Sequence, residues 1–253
     1  MNYYELIKAV AFRIADPRQS SATGGSTTTL VADSLIEPGG YFDNGLLFLD
    51  ITPPQIVRIH TWDSANKTFQ FAALSAPITP GTSFMATNAK YPLDVLQRSI
   101  WMAYQEIGRH MAVDSTIQTQ SGLRVYTLPD GREDLRRVEL LFSDGRSEII
   151  HTWRIMQNML VFAQEPQAGL TVRLHYVQPP YTPVNLTDTV DPYVSTELVV
   201  VVACMHALIW RNYKVGRDEP NTTELLNYYI QAANAYNHLR PRLLPRDPIV
   251  AVY

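Results

Sequence analysis

Apolar residues recur at intervals of three and four in four segments of the chain, which is the spacing of one helical face. In the first segment Leu6, Val10 and Ile14 follow this spacing. The third segment is apolar nearly all round, so we expect it to be the most buried helix. The predicted helices lie within residues 3–14, 91–114, 193–214 and 222–236.

The intervals between these helices show short β-prone runs separated by turn residues. The first interval follows residues 20–26, a Ser/Gly-rich stretch that predicts a flexible linker. Five short strands within about sixty residues predict a small barrel. The second interval predicts a β-sandwich or barrel, with residues 170–177 as its clearest alternating strand. The barrel strands are expected at residues 28–31, 46–50, 55–61, 68–72 and 83–86.

These elements predict an α+β fold with a helical bundle core, an inserted small β-barrel-like module, a second antiparallel β domain and an extended C-terminal tail. The tail is expected because Pro241, Pro245 and Pro248 oppose a helix there. The predicted divisions are an N-terminal helix (1–19), the inserted β module (20–90), a core helix (91–114), the antiparallel β domain (115–180), a helical hairpin (181–240) and the tail (241–253).

Composition adds an expectation about neighbours. Hydrophobic residues make up 46% of the chain and charged residues only 18%, below the usual value of about 25%. The 14 tyrosines and 17 prolines fit a protein whose surface is partly covered by other subunits. We therefore expect an obligate oligomer.

Charge and cysteine content exclude several classes. The net charge of −3 without a basic stripe argues against tight DNA binding, although a mildly acidic wall lets DNA slide past. A single cysteine, Cys204, allows no disulfide within the chain and no cysteine-based metal site. The first residues do not resemble a signal peptide, and the longest apolar run, residues 199–210, is too short to cross a membrane.

No catalytic constellation stands out. The six histidines are scattered, and no HExxH or CxxC motif and no Walker loop occurs. His206 lies two positions after Cys204, a spacing that puts the two side chains on different helical faces and favours a core histidine over a Cys-His dyad. We therefore predict a protein that is not an enzyme and uses no cofactor and no metal.

Two pairs of carboxylates were weighed as acid–base or cation sites. Glu133 with Asp134, and Asp188 with Asp191, each lie in a polar turn. Solvated carboxylates are the usual state of such residues. We therefore expect no site at either pair.

Two stretches resemble proteins of tailed bacteriophages. Residues 24–49, GGSTTTLVADSLIEPGGYFDNGLLFL, resemble a β module common in tailed-phage virion proteins. Residues 153–162 and 170–177, the proline-rich loop and the helix at residues 191–210 are similar to head-to-tail adaptor (neck, or connector) proteins. The resemblance covers most of the chain by layout and includes no short fingerprint motif.

The resemblance implies a structural role in the virion neck, after assembly in the host cytoplasm. Twelve copies would form a ring beneath the portal protein and above a tail or stopper protein. Genomic DNA would pass through the channel without sequence-specific binding, and no membrane is involved. The C-terminal tail would dock on the portal, through Arg240, Arg242, Leu243, Leu244, Arg246, Ile249, Val250, Val252 and Tyr253.

Other roles stay open. The chain could be a tail terminator, a tail-tube or baseplate component, or a carbohydrate-binding module of the virion. The last alternative depends on aromatic residues of the β module, which are commonly buried in strands but can also stack on sugars. A hydrolase is the remotest reading. The aromatic residues in question are Tyr41, Phe42, Trp62 and Phe69.

Overall fold

The computed structural model of the chain describes residues 1–132, 134–215 and 220–244. They form two compact units. The first contains Met1–Ile107 and Tyr181–Arg240, and the second contains Gly108–Pro180 and the described residues after 240. The helices are α1 (Tyr3–Ile14), α2 (Leu93–Ile107), α3 (Thr196–Val215) and α4 (Pro220–Ala235), followed by a short 3-10 helix (Tyr236–Leu239).

The predicted fold class is wrong. Across the residues that the structure describes, the fold is mainly antiparallel β, with 27% of the chain helical and no helical bundle core. The fourteen strands within residues 1–132, 134–215 and 220–244 form sheets of seven, four and three strands. The apolar periodicity of the helices suggested a core made of helices alone, but a periodic pattern does not show that a sheet face shares that core, as Leu46, Phe48 and Met85 do.

A seven-stranded sheet dominates the first unit, in the order β1-β7-β4-β5-β6-β3-β2. Five of its strands lie where the sequence predicts them. Its Gly45 must be glycine, because an added Cβ would lie 1.8 Å from the carbonyl oxygen of Thr87. The strands are β1 (Arg18–Ser21), β2 (Gly24–Gly25), β3 (Thr29–Val31), β4 (Leu46–Leu49), β5 (Gln55–Asp63), β6 (Thr68–Phe71) and β7 (Ser83–Ala86).

The stretch predicted as a flexible linker instead forms both end strands of this sheet. β1 pairs with β7 and β2 pairs with β3. Between them, the Ala22 amide donates to the Thr82 carbonyl oxygen at 2.8 Å, and the Thr23 amide donates to the Val31 carbonyl oxygen at 2.9 Å. Ladder hydrogen bonds on both sides therefore order a Ser/Gly-rich segment whose composition favours disorder.

One hydrophobic core joins the helices to the barrel-like sheet. α3 packs against α1, α2 and α4, and the core cluster of these helices also contains Leu46, Phe48 and Met85. Because β4 is buried on both faces, its alternate residues Leu47 and Leu49 fill the interior of the β module. The module is thus packed on the helices through an apolar sheet face.

The second unit is built from two antiparallel sheets around a core of its own. The four-stranded sheet has the order β11-β10-β14-β8 and the three-stranded sheet has the order β12-β13-β9. Trp153, Leu160 and Phe162 fill this core. The strands are β8 (His110–Gln118), β9 (Val125–Thr127), β10 (Leu135–Leu141), β11 (Ser147–Ile150), β12 (Trp153–Met156), β13 (Met159–Phe162) and β14 (Thr171–Gln178).

Two helix boundaries differ from the prediction. α2 ends at Ile107, since Gly108 adopts a φ of +79° that terminates the helix, and the chain then continues as β8. α3 begins at Thr196, later than the Asp191–Pro192 start predicted from sequence. The Asp191 carboxylate instead accepts hydrogen bonds from the amides of Tyr181 and Tyr193. It therefore organises the loop before the helix.

Candidate interaction surfaces

The predicted docking tail is described only at its start. Residues 241–244 have no regular secondary structure, Arg242 is exposed, and Leu243 is 46% exposed. Leu244 is partly buried. The remaining residues of the predicted docking set lie outside the described residues: Arg246, Ile249, Val250, Val252 and Tyr253.

Arg240 fixes the point from which this tail begins. Its guanidinium donates to the Glu106 carbonyl oxygen at 2.9 Å and to Oε1 of the Glu106 carboxylate at 3.1 Å. It also donates to Oδ1 of Asn237 at 2.9 Å. Such multiple, planar contacts hold an arginine more rigidly than a single surface ion pair does.

Glu106 connects three elements of the first unit. It lies in the last turn of α2, and its second oxygen lies 2.9 Å from Nε2 of His206 on α3. Arg240 brings the end of the 3-10 helix to the same carboxylate. Sequence reasoning missed this cluster, because a hundred residues or more separate Glu106 from each partner and no motif links them.

A second candidate surface is the exposed apolar face of α2 and α3, hereafter the α2–α3 face, formed by Trp101, Met102, Ile209 and Tyr213. Their exposed fractions are 51%, 36%, 45% and 92%. Three of the four, Met102, Ile209 and Tyr213, line a groove of about 320 Å³. Clustered apolar exposure of this kind is typical of protein-binding surfaces.

The aromatic residues proposed for sugar stacking are mostly inside the β module. Phe42, Trp62 and Phe69 are 0%, 3% and 0% exposed. The rings of Trp62 and Phe69 lie 4.5 Å apart, and Nε1 of Trp62 donates to the Glu37 carbonyl oxygen at 3.1 Å. Only Tyr41 is partly exposed, and its hydroxyl donates to Asp16. Three of the four rings are therefore core residues with no face open to a ligand.

Cys204 and His206 are not brought together. The Cys204 thiol is fully buried and lies 3.9 Å from the Val10 carbonyl oxygen, whereas His206 contacts Glu106. Burial raises the pKa of the Cys204 thiol to about 12, so the nucleophilic thiolate is disfavoured. Cys204 is a packing residue of α3.

The described members of the two carboxylate pairs, Glu133 with Asp134 and Asp188 with Asp191, form ion pairs or hydrogen bonds within the fold. Asp134 forms ion pairs with Arg109 and Arg136, and Glu133 lies outside the described residues. Asp188 accepts hydrogen bonds from the amides of Asn185 and Val184, which lower the pKa of its carboxyl.

Among the described residues, no group of three or more His, Cys, Asp or Glu is arranged to hold a metal ion. The described helices include none with both the length and the apolar character to cross a bilayer.

Neither the protein-family models nor the curated proteins contain a match to this chain.

Proposed function

We propose that the chain is a non-enzymatic structural protein of a tailed-phage particle. In this proposal twelve copies form an adaptor ring beneath the portal, joining the head to the tail or to a stopper protein. The protein acts in the neck of the virion and leaves a channel for DNA. Its work is geometric, since it fits against other subunits and transforms no small molecule.

The observation that supports this proposal most is that the C-terminal tail begins at Arg240, a residue held in place by other parts of the first unit. Arg240 is held by Glu106 and Asn237, so the chain leaves the first unit at a defined point. Directly beyond it lie an exposed arginine, Arg242, and an exposed leucine, Leu243. Arginine and apolar side chains on an extended segment suit docking on a partner's groove or sheet edge.

The basic residues of the chain support an interface-rich protein. Of its 21 basic residues, 17 are arginine and 4 are lysine. Arginine is enriched and lysine depleted at protein interfaces relative to the remaining surface, because the planar guanidinium is weakly hydrated and binds in a fixed geometry. A protein that needed its surface only for solubility would have no reason for this bias.

A channel role agrees with the net charge of −3. A mildly acidic ring repels the phosphate backbone and allows DNA to pass without adhering. Carbohydrate binding by the β module is less favoured, because Phe42, Trp62 and Phe69 are buried.

Removing residues 241–253 tests the docking role. We expect the shortened protein to fold normally, since Arg240 and its contacts are kept, and to lose portal binding by tenfold or more, roughly 1.4 kcal/mol. A pull-down with purified portal protein measures this. Ile36→Asp is the control, because Ile36 is 88% exposed and belongs to the β module. Undiminished capture of the shortened protein would refute the docking role.

A further inference from the structure

We infer that neighbouring copies of this chain join through helices, with α4 of one copy lying in the groove of the α2–α3 face of the next. The inference rests on the proposed ring and names the two surfaces that form it. Ring closure requires two different complementary faces on each subunit. The first unit offers such a pair.

The order of the helices places these faces apart on one subunit. α3 packs extensively against both α2 and α4, whereas α2 and α4 share at most a marginal contact. α2 and α3 run antiparallel, because Glu106 of α2 meets His206 while Asp94 of α2 shares the groove with Tyr213. The α2–α3 groove and the outer side of α4 are thus separate surfaces, as a head-to-tail contact needs.

The α4 surface has the composition of an interface. Among its sixteen residues, PNTTELLNYYIQAANA, only Glu224 is charged. Its exposed residues include Tyr228 at 62% and Ile230 at 39% exposure, with exposed Asn227 and Gln231 beside them. Surface helices of monomeric proteins normally carry charges on the solvent side, whereas interface centres are depleted in them.

Charge complementarity favours a second copy of the chain as the partner. Arg98 is exposed at the groove of the α2–α3 face, and within the described part of the chain it has no ion-pair partner. Asp94, one turn earlier, is not within ion-pair distance of it. Glu224 is exposed, and among the described residues it too lacks a partner. Among the described residues the groove thus has one unpaired cation, Arg98, and one unpaired anion, Asp94, and the anion Glu224 of a neighbouring α4 would complement the Arg98 position.

Spacing along the helices agrees with this pairing. Glu224 and Tyr228 are four residues apart, as are Arg98 and Met102. Residues four apart lie on the same helical face, one turn from each other. A parallel register that brings Glu224 to Arg98 therefore also brings Tyr228 to Met102. The tyrosine ring would then cover the apolar groove, the contact mode of a helix bound in a groove.

Cysteine cross-linking tests the contact directly. With Met102→Cys and Tyr228→Cys in one chain, oxidation of the full-length protein across a concentration series should give a ladder of dimers, trimers and larger species. A mixture of the two single variants should give dimers only, because each chain then has one reactive face. Cys204 does not interfere, since it is buried.

The control pair is Gln70→Cys with Tyr228→Cys, because Gln70 is exposed on β6, outside the helices. Equal ladders from the control pair, or dimers alone from the Met102/Tyr228 pair, would overturn the inference.

Charge reversal provides a second test. Arg98→Glu should lower the yield of trimers and larger species by about threefold, the scale of one exposed ion pair, and adding Glu224→Arg should restore it. Arg124→Glu, at another exposed arginine, should leave the yield unchanged. If Arg98→Glu lowers the yield and Glu224→Arg does not restore it, Arg98 and Glu224 do not form an ion pair between copies.

The two proposals fail separately. If the cross-linked ladder forms but the protein is not found in virions, only the neck function is contradicted. A neck ring without the ladder would contradict only the α4 contact.

Discussion

The interior of the β module and the α2–α3 face are both rich in large apolar side chains, but they are exposed to very different degrees. Phe42, Trp62 and Phe69 are buried with ring centroids 4.5 to 5.6 Å apart, whereas Trp101 is 51% exposed. The difference arises because a curled sheet encloses its inner positions, while a helix buries only one stripe. Aromatic content alone thus does not distinguish a core from a binding surface.

Phe69→Ala should have the largest effect on folding. Phe69 is fully buried and touches Phe42, Trp62 and Phe84, so removing its ring leaves a cavity in the centre of the module. We expect the free energy of unfolding to fall by about 3–5 kcal/mol. Urea denaturation measures this loss. A loss below about 1 kcal/mol would mean that the interior can collapse or is already open.

Alkaline pH should weaken the protein to an intermediate extent. Burial raises the pKa of both Tyr3 and Cys204 to about 12, whereas in an unfolded chain these groups titrate near about 10 and about 8.5. The unfolded chain therefore loses these protons first, and the free energy of unfolding falls as pH rises from about 8.5 to about 12.

Urea midpoints across this pH range check the prediction. In Cys204→Ala the decline should begin only near pH 10, about the value for an unfolded tyrosine. An identical pH profile for Cys204→Ala would show that the thiol is not shielded in the folded protein.

Trp101→Ala should have the smallest effect on folding. It separates the two regions most clearly, because it tests whether the α2–α3 face is an interface or part of the core. Because half of the side chain is exposed, we expect a change in unfolding free energy within about 0.5 kcal/mol. The same substitution should reduce cross-linking between the Met102 and Tyr228 positions. If Trp101→Ala instead destabilises the monomer as much as Phe69→Ala does, the α2–α3 face is a core and not an interface.

Local patterns predicted the elements better than their arrangement. The apolar stripe of Leu6, Val10 and Ile14 lies within one helix and predicted α1. The structure adds a capping box at its start, in which Asn2 and Glu5 exchange hydrogen bonds with each other's backbone amides. By contrast, β1 and β2 form in a Ser/Gly-rich stretch because distant strands supply their hydrogen bonds. These two strands were missed for that reason.

The candidate surfaces also show that local sequence patterns predict elements, whereas contacts between distant residues cannot be predicted from them. The docking tail was predicted from prolines and apolar residues near the C-terminus, but its anchor was not, since Glu106 meets Arg240 only through the tertiary fold. The α2–α3 face had a weak sequence signal. Trp101 and Met102 lie outside the buried stripe formed by Leu96, Ile100 and Tyr104. A large apolar residue outside the buried stripe of a helix indicates a surface that contacts a partner.

The proposed place of the chain in a phage neck is tested most directly by cryo-electron microscopy of purified phage particles. The proposal predicts a ring of twelve copies between portal and tail, with the residues after Arg240 in contact with portal density. Purified particles that lack the chain, or that hold it outside the neck, would contradict the account.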